Sequence, residues 1–151
     1  MLILKVFREK FMSLTRKKFR EIVFYFLYSE AFGAQEEGAF IDFAMKQMKV
    51  TSKNVKMAIE QGRRILATGE ELDGLIEKIA AAAYDFERIS SVERTILRIG
   101  AYELLYEKLL PAKVSIAEAI RLCGKFGSAG SEKFINAVLD KIYQSSHVAE
   151  E

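Results

Sequence analysis

Residues 90–105 read SSVERTILRIGAYELL, and this stretch decides the fold. Ser90, followed three residues later by Glu93, is a capping box. Each side chain satisfies a backbone N–H that the first turn of a helix leaves without a partner. Behind the cap, Val92, Ile96, Ile99 and Gly100 share one helical face, and Leu97, Ala101, Leu104 and Leu105 widen it. Pro111 ends this helix or lies just past its end. On the C-terminal side, Ser115 and Glu118 repeat the capping-box spacing, with Ile116, Ala119, Ile120 and Cys123 inward behind it. Residues 124–130 hold three glycines and are predicted to form a loop. Ser131 is placed to cap a last helix whose apolar positions are Phe134, Ile135, Val138, Leu139 and Ile142.

The same period runs on the N-terminal side. Phe19, Ile22, Val23, Phe26 and Leu27 form a stripe that predicts a helix over about 15–32, with Gly33 as its stop. A second helix is expected over 36–48, with Phe40, Phe43, Ala44 and Met48 inward. Thr51 or Ser52 caps a third, on which Val55, Ile59, Gly62 and Leu66 share a face, Gly62 allowing close approach of a neighbour. Gly69 separates it from a fourth, about 71–83, buried through Leu72, Leu75, Ile76 and Ile79. The sequence therefore predicts an all-α fold of about seven helices. They form one domain over 15–143, made of two packed helical subdomains, 15–83 and 90–143. Residues 1–14 are an extension, read either as an extra helical turn or as a stretch upstream of a start at Met12. Residues 144–151 are a polar tail expected to fray.

Composition removes several function classes. Half of the 151 residues are hydrophobic, so a sizeable core is available. One Cys and one His leave no His/Cys set for a metal, and Cys123, on an apolar helical face with His147 in the tail, reads as packing and not as a nucleophile. No P-loop or dinucleotide fingerprint is present, because Gly124-Lys-Phe-Gly127 follows no strand. Carboxylate pairs such as Glu36-Glu37 and Glu70-Glu71 suit helix starts, where the dipole favours them. No catalytic residue, metal or cofactor is expected. No apolar run approaches the roughly 20 residues of a membrane helix. The apolar part of MLILKVFREKF at the start is too short for a signal sequence, and its charge follows it. A single cysteine fits a reducing cytoplasm.

The formal net charge is only +2, so any affinity for a polyanion must be local. The densest basic run is Arg16-Lys17-Lys18-Phe19-Arg20. With Phe19 assigned to the buried stripe, the four cations flank it and are expected to face outward. Cations at a helix start oppose the macrodipole, and a bound polyanion would relieve that cost. The run by itself reads first as a solvated helical face. Arg63-Arg64 reads as a solvated pair. Phe134, beside Lys133 in the first turn after the glycine loop, is by spacing either a core residue or an exposed aromatic on a binding surface.

Three ordered blocks carry a resemblance. Residues 91–105, with Val92-Glu93, Leu97-Arg98-Ile99 and Tyr102-Glu103-Leu104, come first. Lys113-Val-Ser-Ile-Ala-Glu-Ala-Ile120 comes next. Lys125-Phe-Gly127 and then Lys133-Phe-Ile-Asn-Ala-Val-Leu-Asp140 close the series. Together they resemble the NusB family of bacterial transcription antitermination factors. Residues 16–28 are similar to that family's arginine-rich opening ending in Leu-Tyr. The resemblance spans about 15–143 and is weakest between 33 and 83.

The resemblance implies an all-α, non-catalytic RNA-binding protein. Its partner would be NusE, a small-subunit ribosomal protein, and its ligand single-stranded boxA-type leader RNA. Together they would join the RNA polymerase antitermination complex that supports ribosomal RNA transcription. Arg16, Lys17, Lys18 and Arg20 match the RNA-contacting motif. Lys133 and Phe134 match the closing motif at the RNA and partner surface, and Glu93 matches an acidic position facing the partner. The family includes monomers and dimers, and a homodimer would cover the basic helix. Gly130 stands where members often carry an acidic residue, Ala137 where they often carry Gly, and two lysines replace arginines in the opening run. Lysine keeps the charge and loses the bidentate fork. A helical protein–protein scaffold that has lost RNA binding is the alternative reading.

Overall fold

The computed structural model describes residues 14–33, 36–83 and 89–148. Among these, seven helices and no strand are present: α1 (Arg16–Ala31), α2 (Glu37–Met48), α3 (Ser52–Ala67), α4 (Gly69–Ala83), α5 (Ser91–Tyr106), α6 (Ala112–Phe126) and α7 (Ser131–Val148). The expected extension lies outside the described residues except for Leu14. The chain divides into two compact units, one up to Arg63 and one from Arg64 onward. The division falls within α3, whereas the sequence placed a junction between 83 and 90. Helix α4 packs on α5 and α7, so its apolar face belongs to the second unit.

In the first unit, Thr15 caps α1 by accepting from the Lys18 N–H at 3.2 Å. Gly33, just past the end of α1, has φ +119°, a conformation that glycine adopts without strain. Glu36 caps α2 with both carboxylate oxygens, which accept from the N–H groups of Gly38 (2.8 Å) and Ala39 (2.9 Å). Thr51 caps α3. The core is built from Ile22, Val23, Phe24, Phe26 and Leu27 on α1, Phe40, Ala44 and Met48 on α2, and Val55, Ala58 and Ile59 on α3. A Cβ on Gly62 would overlap the ring of Phe26, so this glycine sets the close approach of α3 to α1. Phe26 in turn packs edge-on against Phe40, 5.6 Å between centroids.

Two inward expectations are corrected. Phe43 is 46% exposed, and its ring meets that of Tyr25 edge-on at 5.6 Å outside the core. On α3, Leu66 is exposed and Ile65 is buried. Ile65 lies seven residues after the fully buried Ala58, close to two whole turns, while Leu66 is rotated about 100° further.

In the second unit α5, α6 and α7 pack on one another, and α4 lies against α5 and α7. The capping box at Ser90 and Glu93 is complete in both directions. A Cβ on Gly100 would come within 2.8 Å of Leu139 Cδ1, so α5 and α7 meet at this glycine. Arg98 donates a two-pronged pair of hydrogen bonds to Asp73, both 2.7 Å, tying α5 to α4. That pairing raises the Arg98 guanidinium above its ordinary value, against the opposing effect of burial.

The second capping box is a correction. Helix α6 starts at Ala112 with Pro111 as its N-cap, four residues before Ser115. Ser115 is inside the helix and buried, and its hydroxyl donates to Glu103 Oε1 at 3.0 Å. Two boundaries also move. Helix α6 continues through Phe126, leaving 127–130 as the loop, and α7 continues through Val148, five residues into the expected tail.

Candidate nucleic-acid interface

The basic run opens α1, whose first turn holds no acidic residue to offset the dipole. Arg16 and Lys17 are exposed, and Lys18 and Phe19 are half-buried. Arg20 is only 4% exposed, which corrects the expectation that all four cations face outward. Helical register explains it: Arg20 lies on the face of Val23, Phe24 and Leu27, at i+3, i+4 and i+7, all of them buried. The outward cationic surface of α1 is therefore Arg16, Lys17 and, in part, Lys18.

The remaining predicted residues lie in the second unit, where the start of α5, the end of α6 and the start of α7 converge around Cys123. Burial pushes the Cys123 thiol up, and the carboxylates of Glu132 and Glu93 push the same way, against a hydrogen bond with Ser131. Glu93 and the first turn of α7 thus both lie within electrostatic reach of Cys123. Glu93 is half-buried, and its Oε1 accepts from the Ser90 N–H at 3.2 Å, so part of its carboxylate is committed to the cap. Lys133 is exposed and Phe134 half-buried, an outcome between the two readings of that aromatic. Lys125 Nζ sits 5.6 Å from the centre of the Phe126 ring near the end of α6. Gly130, just before α7, has φ +92°, where an L side chain is strained. The local backbone thus explains the glycine at a position where the resemblance leads one to look for an acidic residue.

Sequence reasoning missed an aromatic cleft of about 280 Å³ between α1 and α2, lined by Tyr25, Tyr28, Ser29, Ala39, Phe40 and Phe43. Phe32, 69% exposed, packs against Tyr28 with 4.9 Å between ring centroids. The signal was present as a second stripe on α1, since Tyr25, Tyr28 and Phe32 recur at i, i+3 and i+7. Among the described residues no cluster of His, Cys, Asp or Glu could hold a metal ion, and no helix is long and apolar enough to cross a membrane.

The class defined by these features is an all-helical protein that presents a cationic helix start in one unit and a mixed charged and aromatic helix junction in the other. The comparisons give the family. The NusB family model matches residues 17–144. The transcription antitermination protein NusB of Pseudothermotoga lettingae is 33% identical over 132 residues, covering 86% of this chain and 91% of that protein. The one from Nitratiruptor sp. is 38% identical over 128 residues, covering 85% and 91%. Among solved structures, T. maritima NusB aligns with a TM-score of 0.71 and 30% identity, over 88% of this chain and 93% of that one. A structure of the antitermination factors NusB and NusE in complex with double-stranded RNA aligns with a TM-score of 0.71 and 25% identity, over 86% and 96%. The chain belongs to the NusB family.

Proposed function

We propose that this chain is a transcription antitermination factor. It binds boxA-type single-stranded leader RNA together with a NusE-type ribosomal protein, and the pair joins transcribing RNA polymerase in the cytoplasm. The role is one of binding, with no catalytic step. The observation that carries the reading is family membership over nearly the whole helical chain, with a fold shared with a NusB solved alongside NusE and RNA. Arg16, Lys17 and Lys18 supply phosphate contacts from the start of α1. In the second unit, Lys133 and Phe134 supply RNA contacts of their own, where an aromatic face can stack on a base. Glu93 and Phe134 face the partner protein.

The test is a titration of boxA-type RNA with and without NusE, following the assembly state in the same samples. The proposal expects RNA binding that NusE strengthens. A chain that binds NusE but shows no affinity for RNA at low salt is instead a scaffold, and a chain whose homodimer persists and excludes RNA contradicts the proposal as well.

A further inference from the structure

We propose that Arg20, although part of the basic run, is a positioning residue. Its buried guanidinium fixes the first two turns of α1 and so presents Arg16, Lys17 and Lys18, without itself touching a phosphate. The inference rests on the RNA-binding reading above and divides the basic run into two roles.

Three observations carry it. Arg20 is 4% exposed, while Arg16 and Lys17 on the preceding turn are exposed. Arg20 shares its face with Val23, Phe24 and Leu27, which are 1%, 2% and 1% exposed, so it lies on the side of α1 that packs against the core. Among the described residues no buried side-chain nitrogen or oxygen lacks a hydrogen-bond partner, so the buried part of the guanidinium is already satisfied by protein. Withdrawing such a cation to reach a phosphate would leave its partners buried and unpaired, which is strongly unfavourable. An accessible lysine pays no such penalty. Its contact with a phosphate releases a condensed counterion, which is the source of salt-dependent affinity.

The two roles differ in what they do to salt dependence. On a single strand each phosphate contact adds about −0.7 to the slope of log K against log salt. Between about 50 and 200 mM salt one lost contact therefore changes the ratio of wild-type to variant affinity by roughly 2.5-fold. Lys17→Ala and Lys18→Ala are expected to show that change. Arg20→Met keeps much of the apolar stem and removes the charge. It is expected to bind RNA more weakly by a factor that is the same at every salt concentration, with faster amide exchange in the first two turns of α1. Arg20→Lys keeps a point charge but loses the fork, and it is expected to lower Tm by about 3 °C or more while leaving the slope at the wild-type value.

The probe is a short single-stranded boxA-type RNA, and the full chain is used throughout. A folded Arg20→Met protein whose slope falls by about 0.7 overturns the proposal. An Arg20→Lys protein with wild-type Tm and wild-type exchange in α1 overturns it too, and this variant decides the matter if Arg20→Met fails to fold. If the wild-type chain binds no RNA at all, the function above fails, while Tm and amide exchange still report whether Arg20 anchors α1.

Discussion

Replacing Gly62 with Ala tests the packing that holds α1 in place. In an ordinary helix interior this change is favourable by about 1 kcal/mol, because alanine loses less conformational entropy on folding. Here the added methyl would lie 2.8 Å from Phe26 Cε1, with another ring carbon nearer still. Phe26 is 7% exposed and held edge-on against Phe40, so the ring cannot swing aside cheaply. Overpacking of a well-filled core costs about 1–3 kcal/mol, and a methyl driven into a rigid ring belongs near the upper end. The net expectation is a loss of about 2 kcal/mol, a fall in Tm of roughly 4–8 °C for a chain of this size. The assay is urea and thermal unfolding followed by circular dichroism. A second variant isolates the cause. Phe26→Leu removes the ring face, so in its background Gly62→Ala should be close to neutral, giving a favourable coupling of about 1–2 kcal/mol in the double-mutant cycle. A Gly62→Ala protein as stable as wild type, or one equally destabilised in the Phe26→Leu background, would refute the close approach of α3 to α1.

Two further outcomes follow from the second unit. Ser90→Ala removes one half of the capping box and should destabilise by about 1 kcal/mol, with faster exchange of the Glu93 amide as the local readout. The buried Cys123 thiol has a raised pKa, so the folded state holds its proton to higher pH than the unfolded chain does. The stability this contributes is present below the ordinary thiol value of 9.0 and is lost as pH rises above it, so a Cys123→Ala protein should lose less stability between neutral pH and pH about 10 than wild type. An equal loss in both proteins would show that Cys123 is not the group responsible.

Local rules read the fold well where a residue acts on its own helix. Ser90 with Glu93 fixed the start of α5, Gly33 marked the end of α1, and Gly62 was recognised as a point of close approach. They failed where a neighbouring helix decides. Ser115 and Glu118 have the spacing of a capping box, but Pro111 sets the helix start a turn earlier, and the Ser115 hydroxyl is used across the α5–α6 interface by Glu103. Phe43 has the hydrophobicity of a core residue, yet α2 needs only Phe40, Ala44 and Met48 to fill its narrow contact with the first unit's core. The site shows the same division. Charge clustering located the basic run, and the helical register determined which members face water. Five apolar residues between Ile22 and Leu27 bury most of the circumference of α1, wider than a single stripe, and Arg20 falls inside that arc. The aromatic cleft was overlooked because tyrosine and phenylalanine at helical spacing are ordinarily read as core.

The central claim is that the exposed cations at the start of α1 bind RNA. Its most direct test is the affinity of boxA-type RNA for wild type and for the Arg16→Ala/Lys17→Ala/Lys18→Ala variant, with NusE present, between about 50 and 200 mM salt. Three lost phosphate contacts flatten the slope by about 2, so the advantage of wild type should shrink by roughly 20-fold across that range, with Tm of the variant close to wild type because these side chains are outside the core. An unchanged slope in a folded triple variant would contradict the account.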